Sequence, residues 1–284
     1  MTTLASWAGV DREGGISSLY LVSDSRFSDA RTGNLITDEG QKIYACQTAP
    51  HLFGYCGWVN FAAAVLKKMV AQVDAGGFFD PGDNIDLKQE KVARFLKEDL
   101  DRVLPDDISK LDLSFTILHA ARERTGLTSQ FRLWLNNWSS KAGWVTKERD
   151  LPTKHSELVY QDGSGAKALL IEHGKWQGSD VAETSRAVFG AFCGALLAGK
   201  DDYSGGAPQL GGLFRDFGAQ YLGVVYRKEI YFKGKRVGLP PIPEVMEWFN
   251  EKFERCDPLT RERRPEAQQQ PTPWPSEPRT RLLP

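Results

Sequence analysis

Cysteine is scarce in this chain: four residues in 284, Cys46, Cys56, Cys193 and Cys256, with no CxxC pair. That spacing argues against a disulfide scaffold or a structural zinc site and points to a reducing compartment, the cytoplasm. Long apolar runs are missing too. None reaches the roughly 18 residues a membrane span needs. The longest candidate, "AVFGAFCGALLAG" (Ala187 to Gly199), is short and rich in small residues, which predicts a buried, close-packed helix. Neither sign of charge dominates: the formal net charge is −1, without the basic excess of a general nucleic-acid binder. There is no basic n-region followed by an apolar stretch, so no signal peptide is expected. Neither GxGxxG nor GxxxxGK[ST] occurs, which leaves a nucleotide-dependent enzyme little support. The four histidines, His51, His119, His155 and His173, lie far apart without metal-ligand spacing and read as packing or surface residues. No cofactor is called for.

What is present is an ordinary globular composition, 41% hydrophobic and 26% charged, in a chain long enough to bury a large core. Residues 2–8 and 17–23 read as two strands around the turn-rich "GVDREGG", and "KIYACQ" as another. Apolar residues then recur at helical spacing from Val59 to Val73 and from Val92 to Val103. Asp106 and Asp107 look like a cap for the next element. "LDLSFTILH" and "FRLWLNNW" alternate with a period of two around a polar turn, a hairpin signal. A strand leads into "YQDGSGAKALL"; a small-residue helix runs from about Val181 to Gly199; "YLGVVYRKEIYFKGK" suggests a further strand pair. A last amphipathic helix is expected through Val245, Trp248, Phe249 and Phe253. From Asp257 the composition shifts. The final stretch, 257–284, holds seven of the fifteen prolines, "QQQ" and five arginines, and is expected to be a disordered tail after a domain spanning 2–256. The order of elements favours a layered α+β domain.

The start, "MTTLASW", carries a chemical possibility. A threonine hydroxyl is a weak nucleophile without a base. The residue's own α-amino group, with an unperturbed pKa of about 7.7–8.0, can serve as that base if the threonine is the first residue. Met1 before a small residue is the context in which an aminopeptidase removes the methionine, so Thr2 can be exposed without a propeptide. Exposing Thr3 would need a second cut.

Five segments in order, "TTLASW", "SDSR", "KIYACQTAPHLFGYCG", "DGSG" and "DDYSGG", resemble the proteasome β-subunit and HslV-like family of N-terminal nucleophile hydrolases over roughly residues 2–240. The resemblance implies a four-layer αββα sandwich and a threonine-type endopeptidase. It implies Thr2 as nucleophile and Asp24 as the carboxylate holding Lys42, whose positive charge lowers the cost of the threonine alkoxide. Gly57 would give its backbone N–H to the oxyanion, and Ser164, Asp201 and Ser204 would orient the amine and its water. The spacing to Ser204 favours Asp201 over Asp202. Tyr55 falls where the family lines the pocket for the residue before the scissile bond, and its bulk would favour small substrate side chains. Assembly into a homo-oligomeric ring enclosing the sites is implied, with a separate ATP-dependent unfoldase for folded substrates.

Singly, each residue has an ordinary reading: Asp24 a turn cap, Lys42 a solvated strand end, Gly57 a helix breaker, "DGSG" and "YSGG" plain loops. Their joint occurrence is what argues for a site. Cys56, beside Gly57, lacks a recognisable histidine partner. The loops between Thr2 and Asp24, between Asp24 and Lys42, and around "NNWSSKAGWVTKERDLPTK" are longer than is typical of that family. Two rivals remain: an amidohydrolase of the same fold acting on a small-molecule amide, and a non-catalytic ring subunit.

Overall fold

A computed structural model describes residues 2–11, 15–29, 32–104, 112–240 and 246–269. Asp106, Asp107, Val245 and the tail beyond Gln269 lie outside the described residues, as does Met1.

Two sheets form the centre. The first contains β1 (Leu4–Val10), β2 (Ile16–Ser23), β10 (Glu157–Asp162), β11 (Gln209–Phe214), β12 (Ala219–Tyr226), β13 (Glu229–Phe232), β14 (Lys235–Arg236) and β15 (Trp248–Asn250). Its order is β10-β1-β2-β11-β12-β13-β14, antiparallel throughout, with β15 joining β12 in parallel. The second sheet is a meander of β5 (Ile43–Ala45), β6 (His51–Gly57), β7 (Ser114–Glu123), β8 (Gln130–Ser139) and β9 (Gly143–Arg149). A small hairpin, β3 (Phe27–Ser28) with β4 (Leu35–Thr37), stands apart.

Side-chain alternation explains the stacking. Along β1 and β2, Leu4, Ala8, Leu19 and Leu21 point towards the second sheet and meet Ile43, Leu52, Leu118 and Leu133. Their neighbours Ala5, Trp7, Tyr20 and Val22 point the other way, into a cluster with Val188, Phe189 and Phe192. A strand buried on both faces reads as a continuous apolar run, as here. Helices α3 (Ala166–Trp176) and α4 (Ser185–Ala198) cover the outer face of the first sheet. Helices α1 (Val59–Asp74) and α2 (Ile85–Val103) cover the second, where Phe61, Leu66, Met69, Val92 and Leu96 pack on Phe53, Tyr55, Phe115 and Ile117. The result is the expected four-layer αββα sandwich.

Local chemistry sets the helix ends. Asn84 caps α2 by accepting from Leu87 N–H at 2.9 Å. Thr184 caps α4, which begins at Ser185 and not at the expected Val181, because residues 181–184 form a turn closed by Thr184 Oγ1 donating to the Val181 carbonyl at 2.6 Å.

Other expectations are corrected. The last helix is absent among the described residues: Trp248, Phe249 and Asn250 form β15 along Gly223, Val224 and Val225, and Phe253 follows in a turn at φ 59°. The tail expected from Asp257 begins with residues that fold back. Arg261 N–H reaches the Asp257 carbonyl at 2.7 Å, and Arg263 bridges Cys256. The extra lengths noted in the sequence become structure, the β3–β4 hairpin between Asp24 and Lys42 and the edge strand β9 after "NNWSS".

Candidate active site

Thr2 precedes β1, Asp24 follows β2, and Lys42 precedes β5. The first two therefore sit side by side at one end of the first sheet, since β1 and β2 are antiparallel neighbours. Lys42 reaches across from the second sheet. Its Nζ donates to Asp24 Oδ1 at 2.7 Å and to Thr2 Oγ1 at 2.8 Å, and all three residues are fully buried. Thr2 shares a face with Leu4, which packs between the sheets. Thr3 points to the opposite side, where its Oγ1 donates to Ser204 Oγ at 2.7 Å. Alternation along β1 thus selects which threonine meets the lysine.

Asp24 is held by more than Lys42. Oδ1 also accepts from Thr3 N–H at 3.0 Å, and Oδ2 accepts from Arg26 N–H at 3.1 Å and Gly205 N–H at 3.0 Å. Burial pushes the Lys42 ammonium below the usual lysine range, and the Asp24 carboxylate opposes that fall.

A second cluster lies beside the first. Ser164 Oγ and Ser204 Oγ both donate to Asp201 Oδ2 at 2.6 Å. The two clusters join through Thr3 to Ser204 and through Gly205 to Asp24. The chain around Ser164 also presses on Thr2 itself. A Cβ at Gly163, where φ is +91°, would lie 1.9 Å from the Thr2 carbonyl oxygen, so this approach requires glycine. Asp202 stands aside from this contact set; its carbonyl accepts from Arg26 at 2.9 Å.

Gly57 ends β6 at φ +95°, and a Cβ there would meet the Ser114 carbonyl at 2.3 Å. The turn it makes delivers the chain directly into α1. Its neighbour Cys56 lies close enough to Lys42 for each to influence the other's ionisation. Burial, with Asp162 nearby, pushes the Cys56 thiol well up and keeps it neutral, unsuited to act as a nucleophile.

No protein-family model matches the chain, and no curated protein matches it in sequence. Among solved structures the chain is similar to eukaryotic HslV from Trypanosoma brucei, at 13% identity and a TM-score of 0.44, over 75% of this chain and 99% of that one. The roles of individual residues therefore rest on the contacts around Thr2, Asp24 and Lys42.

One sequence reading changes and another is sharpened. Tyr55 is completely buried in the core beneath α1, its hydroxyl donating to the Gln41 carbonyl at 3.3 Å. It offers no free face to a bound side chain and instead fills space beside the lysine strand. His51 and His119, far apart in sequence, meet at 2.8 Å across β6 and β7. Antiparallel pairing sets Phe53 opposite His119, and so places His51 diagonally next to it. One residue that no sequence pattern singles out is Gln209, whose buried amide touches the backbones of both Asp24 and Lys42.

Proposed function

We propose that the chain is a threonine-type endopeptidase in which Thr2, made N-terminal by loss of Met1, attacks a peptide carbonyl. The contact of Lys42 Nζ with Thr2 Oγ1 at 2.8 Å and Asp24 Oδ1 at 2.7 Å carries this reading. A buried cation aimed at a hydroxyl has an evident use when that oxygen becomes anionic, and a water-poor site strengthens the effect.

In this reading the free amine of Thr2 accepts the hydroxyl proton as Oγ1 adds to the carbonyl carbon. The new oxyanion accepts from Gly57 N–H, and the amine returns the proton to the departing amine of the substrate. Water, deprotonated by the same α-amine, then hydrolyses the ester. Ser164, Ser204 and Asp201 hold the chain around Thr2 and order that water. Assembly into a homo-oligomeric ring and service by an ATP-dependent unfoldase belong to the same proposal and come from the motif resemblance.

The test is intact mass spectrometry of untagged protein with and without a peptide epoxyketone. The expected result is loss of Met1 and one adduct per chain, abolished in Thr2→Ala. Retained Met1 in active protein would sink the mechanism, because the amine would then belong to the wrong residue. Labelling without peptide hydrolysis would favour a small-molecule amide as substrate, and no labelling a non-catalytic subunit.

A further inference from the structure

Gln209 opens β11 opposite Ser23 on β2, and its side chain is almost completely buried. Oε1 accepts from Lys42 N–H at 2.9 Å and from Ile43 N–H at 3.4 Å. Nε2 lies 2.6 Å from the Gly40 carbonyl, 3.0 Å from the Asp24 carbonyl and 3.1 Å from Ser25 Oγ. Ser25 Oγ donates its own proton to the Ala207 carbonyl at 2.5 Å, so it can accept here. These partners fix the amide's orientation: flipped, its NH₂ would face two N–H groups and its oxygen two carbonyls.

The two backbones that Gln209 joins belong to different sheets. Between those sheets the packing is aliphatic (Leu4, Leu21, Ile43, Leu52), and apolar contact is non-directional. It holds the sheets together without fixing where Lys42 sits along them, which falls to directional bonds: those of Gln209, with Gly40 N–H to the Ser25 carbonyl at 2.8 Å and Gln41 Nε2 to the Tyr221 hydroxyl at 3.3 Å beside them. The lysine stem adds rotamer freedom of its own. We propose that Gln209 is a positioning residue for the Thr2 centre, a clamp between the sheets that sets the Lys42 backbone relative to Asp24 so that Nζ reaches both Asp24 Oδ1 and Thr2 Oγ1. The proposal rests on the reading of Thr2 as nucleophile.

The groups facing the Lys42 ammonium are the Asp24 carboxylate, the Thr2 hydroxyl, the Cys56 thiol, the Arg26 guanidinium further off and the Phe27 ring at 5.7 Å. Asp24 is the one that most strongly favours the charged lysine. Loosening its contact lowers the proton affinity of Lys42, so the alkaline limb of the Thr2 reaction moves to lower pH.

The experiment follows labelling of Thr2 by a peptide epoxyketone against pH in the wild type, Gln209→Met and Gln209→Asn, with the folded fraction measured in parallel. Methionine keeps the volume and removes the amide; asparagine keeps the amide and shortens its reach. The expected result is labelling slowed about tenfold or more per folded chain, as displacement of a reacting group by an ångström implies, with the alkaline limb moved down in pH. If Gln209→Met does not fold, the same result is expected of Gln209→Asn. A wild-type pH profile, with rate falling only in step with folded fraction in whichever variants fold, overturns the proposal and leaves Thr2 standing. Failure of both variants to fold at any temperature where the wild type is folded also overturns it, by making Gln209 a folding residue. A wild type that does not label at Thr2 overturns both readings.

Discussion

Two polar clusters are buried in this molecule, and they are stabilised in opposite ways. At the end of the first sheet, Asp24 and Lys42 form an ion pair without solvent exposure. On the helix-covered side of the second, a neutral chain runs from His51 Nδ1 to His119 Nε2, from His119 Nδ1 to Gln89 Oε1 at 2.5 Å, and from Gln89 Nε2 to Asn136 Oδ1 at 2.9 Å. The Gln89 oxygen can only accept, so His119 carries its proton on Nδ1 and His51 donates to its neighbour. Phe53 and Trp134 stack on His119, and Phe79 lies tilted against His51. Charge survives where a carboxylate lies 2.7 Å away; where rings replace the carboxylate, the groups stay neutral. Only the first kind of cluster aims an ammonium group at a hydroxyl.

The ion pair should break asymmetrically. Asp24→Asn leaves Lys42 buried without its counter-charge, a loss of about 3–5 kcal/mol. Lys42→Met should cost less, because Asp24 keeps three backbone N–H donors, from Thr3, Arg26 and Gly205. The double variant should be more stable than the two single losses added together predict. Urea unfolding of the three variants checks the order. A Lys42→Met loss equal to or larger than that of Asp24→Asn would contradict it. Labelling of Thr2 should be lost in all three.

The contacts of the candidate site were largely legible in the sequence because motif residues make them: Thr2, Asp24, Lys42, Ser164, Asp201 and Ser204 fall into two touching clusters. Gln209 was not, since a glutamine opening a strand looks like any polar strand end and its partners come from loops remote in sequence. A layered α+β domain was readable from order and periodicity and its four layers from the motif resemblance, yet several elements escaped, among them β3, β4, β6, β9, β11, β14 and α3. β6 and β11 carry glycines that interrupt the period of two, and α3 starts directly from the "DGSG" loop. The missed β6 is also why His51 and His119 read as separate residues. Trp248, Phe249 and Phe253 fit a short helix or a short strand equally well by spacing, and the exposed edge of β12 decided for a strand.

The neutral cluster should respond to acid. Burial lowers the His51 pKa to about 3 and drives that of His119 well down, against an ordinary 6.5. Below pH 6.5 the unfolded chain therefore binds protons that the fold refuses. Stability from these groups is full above pH 6.5 and is lost progressively as pH falls towards 3. At pH 5.5 the loss should be about 1.4 kcal/mol per histidine relative to pH 7.5. His119→Gln should show about half of that dependence. Equal unfolding free energies for the wild type at the two pH values would refute the neutral assignment.

The smallest effect is expected at the far end of the same chain. Thr146 on the edge strand β9 donates to Asn136 Oδ1 at 3.2 Å and accepts from Trp144 Nε1 at 3.2 Å. Thr146→Val removes one of two donors to the Asn136 oxygen, but Gln89 still supplies the other. The Trp144 ring is only partly buried, so water can replace the lost acceptor. The expected cost is about 0.5–1 kcal/mol, read from the thermal midpoint. A loss as large as that of Asp24→Asn would mean that the neutral chain depends on each of its links as the ion pair does. A small loss would show that redundancy of donors, absent for the Lys42 charge, lets an uncharged cluster tolerate the removal of one partner.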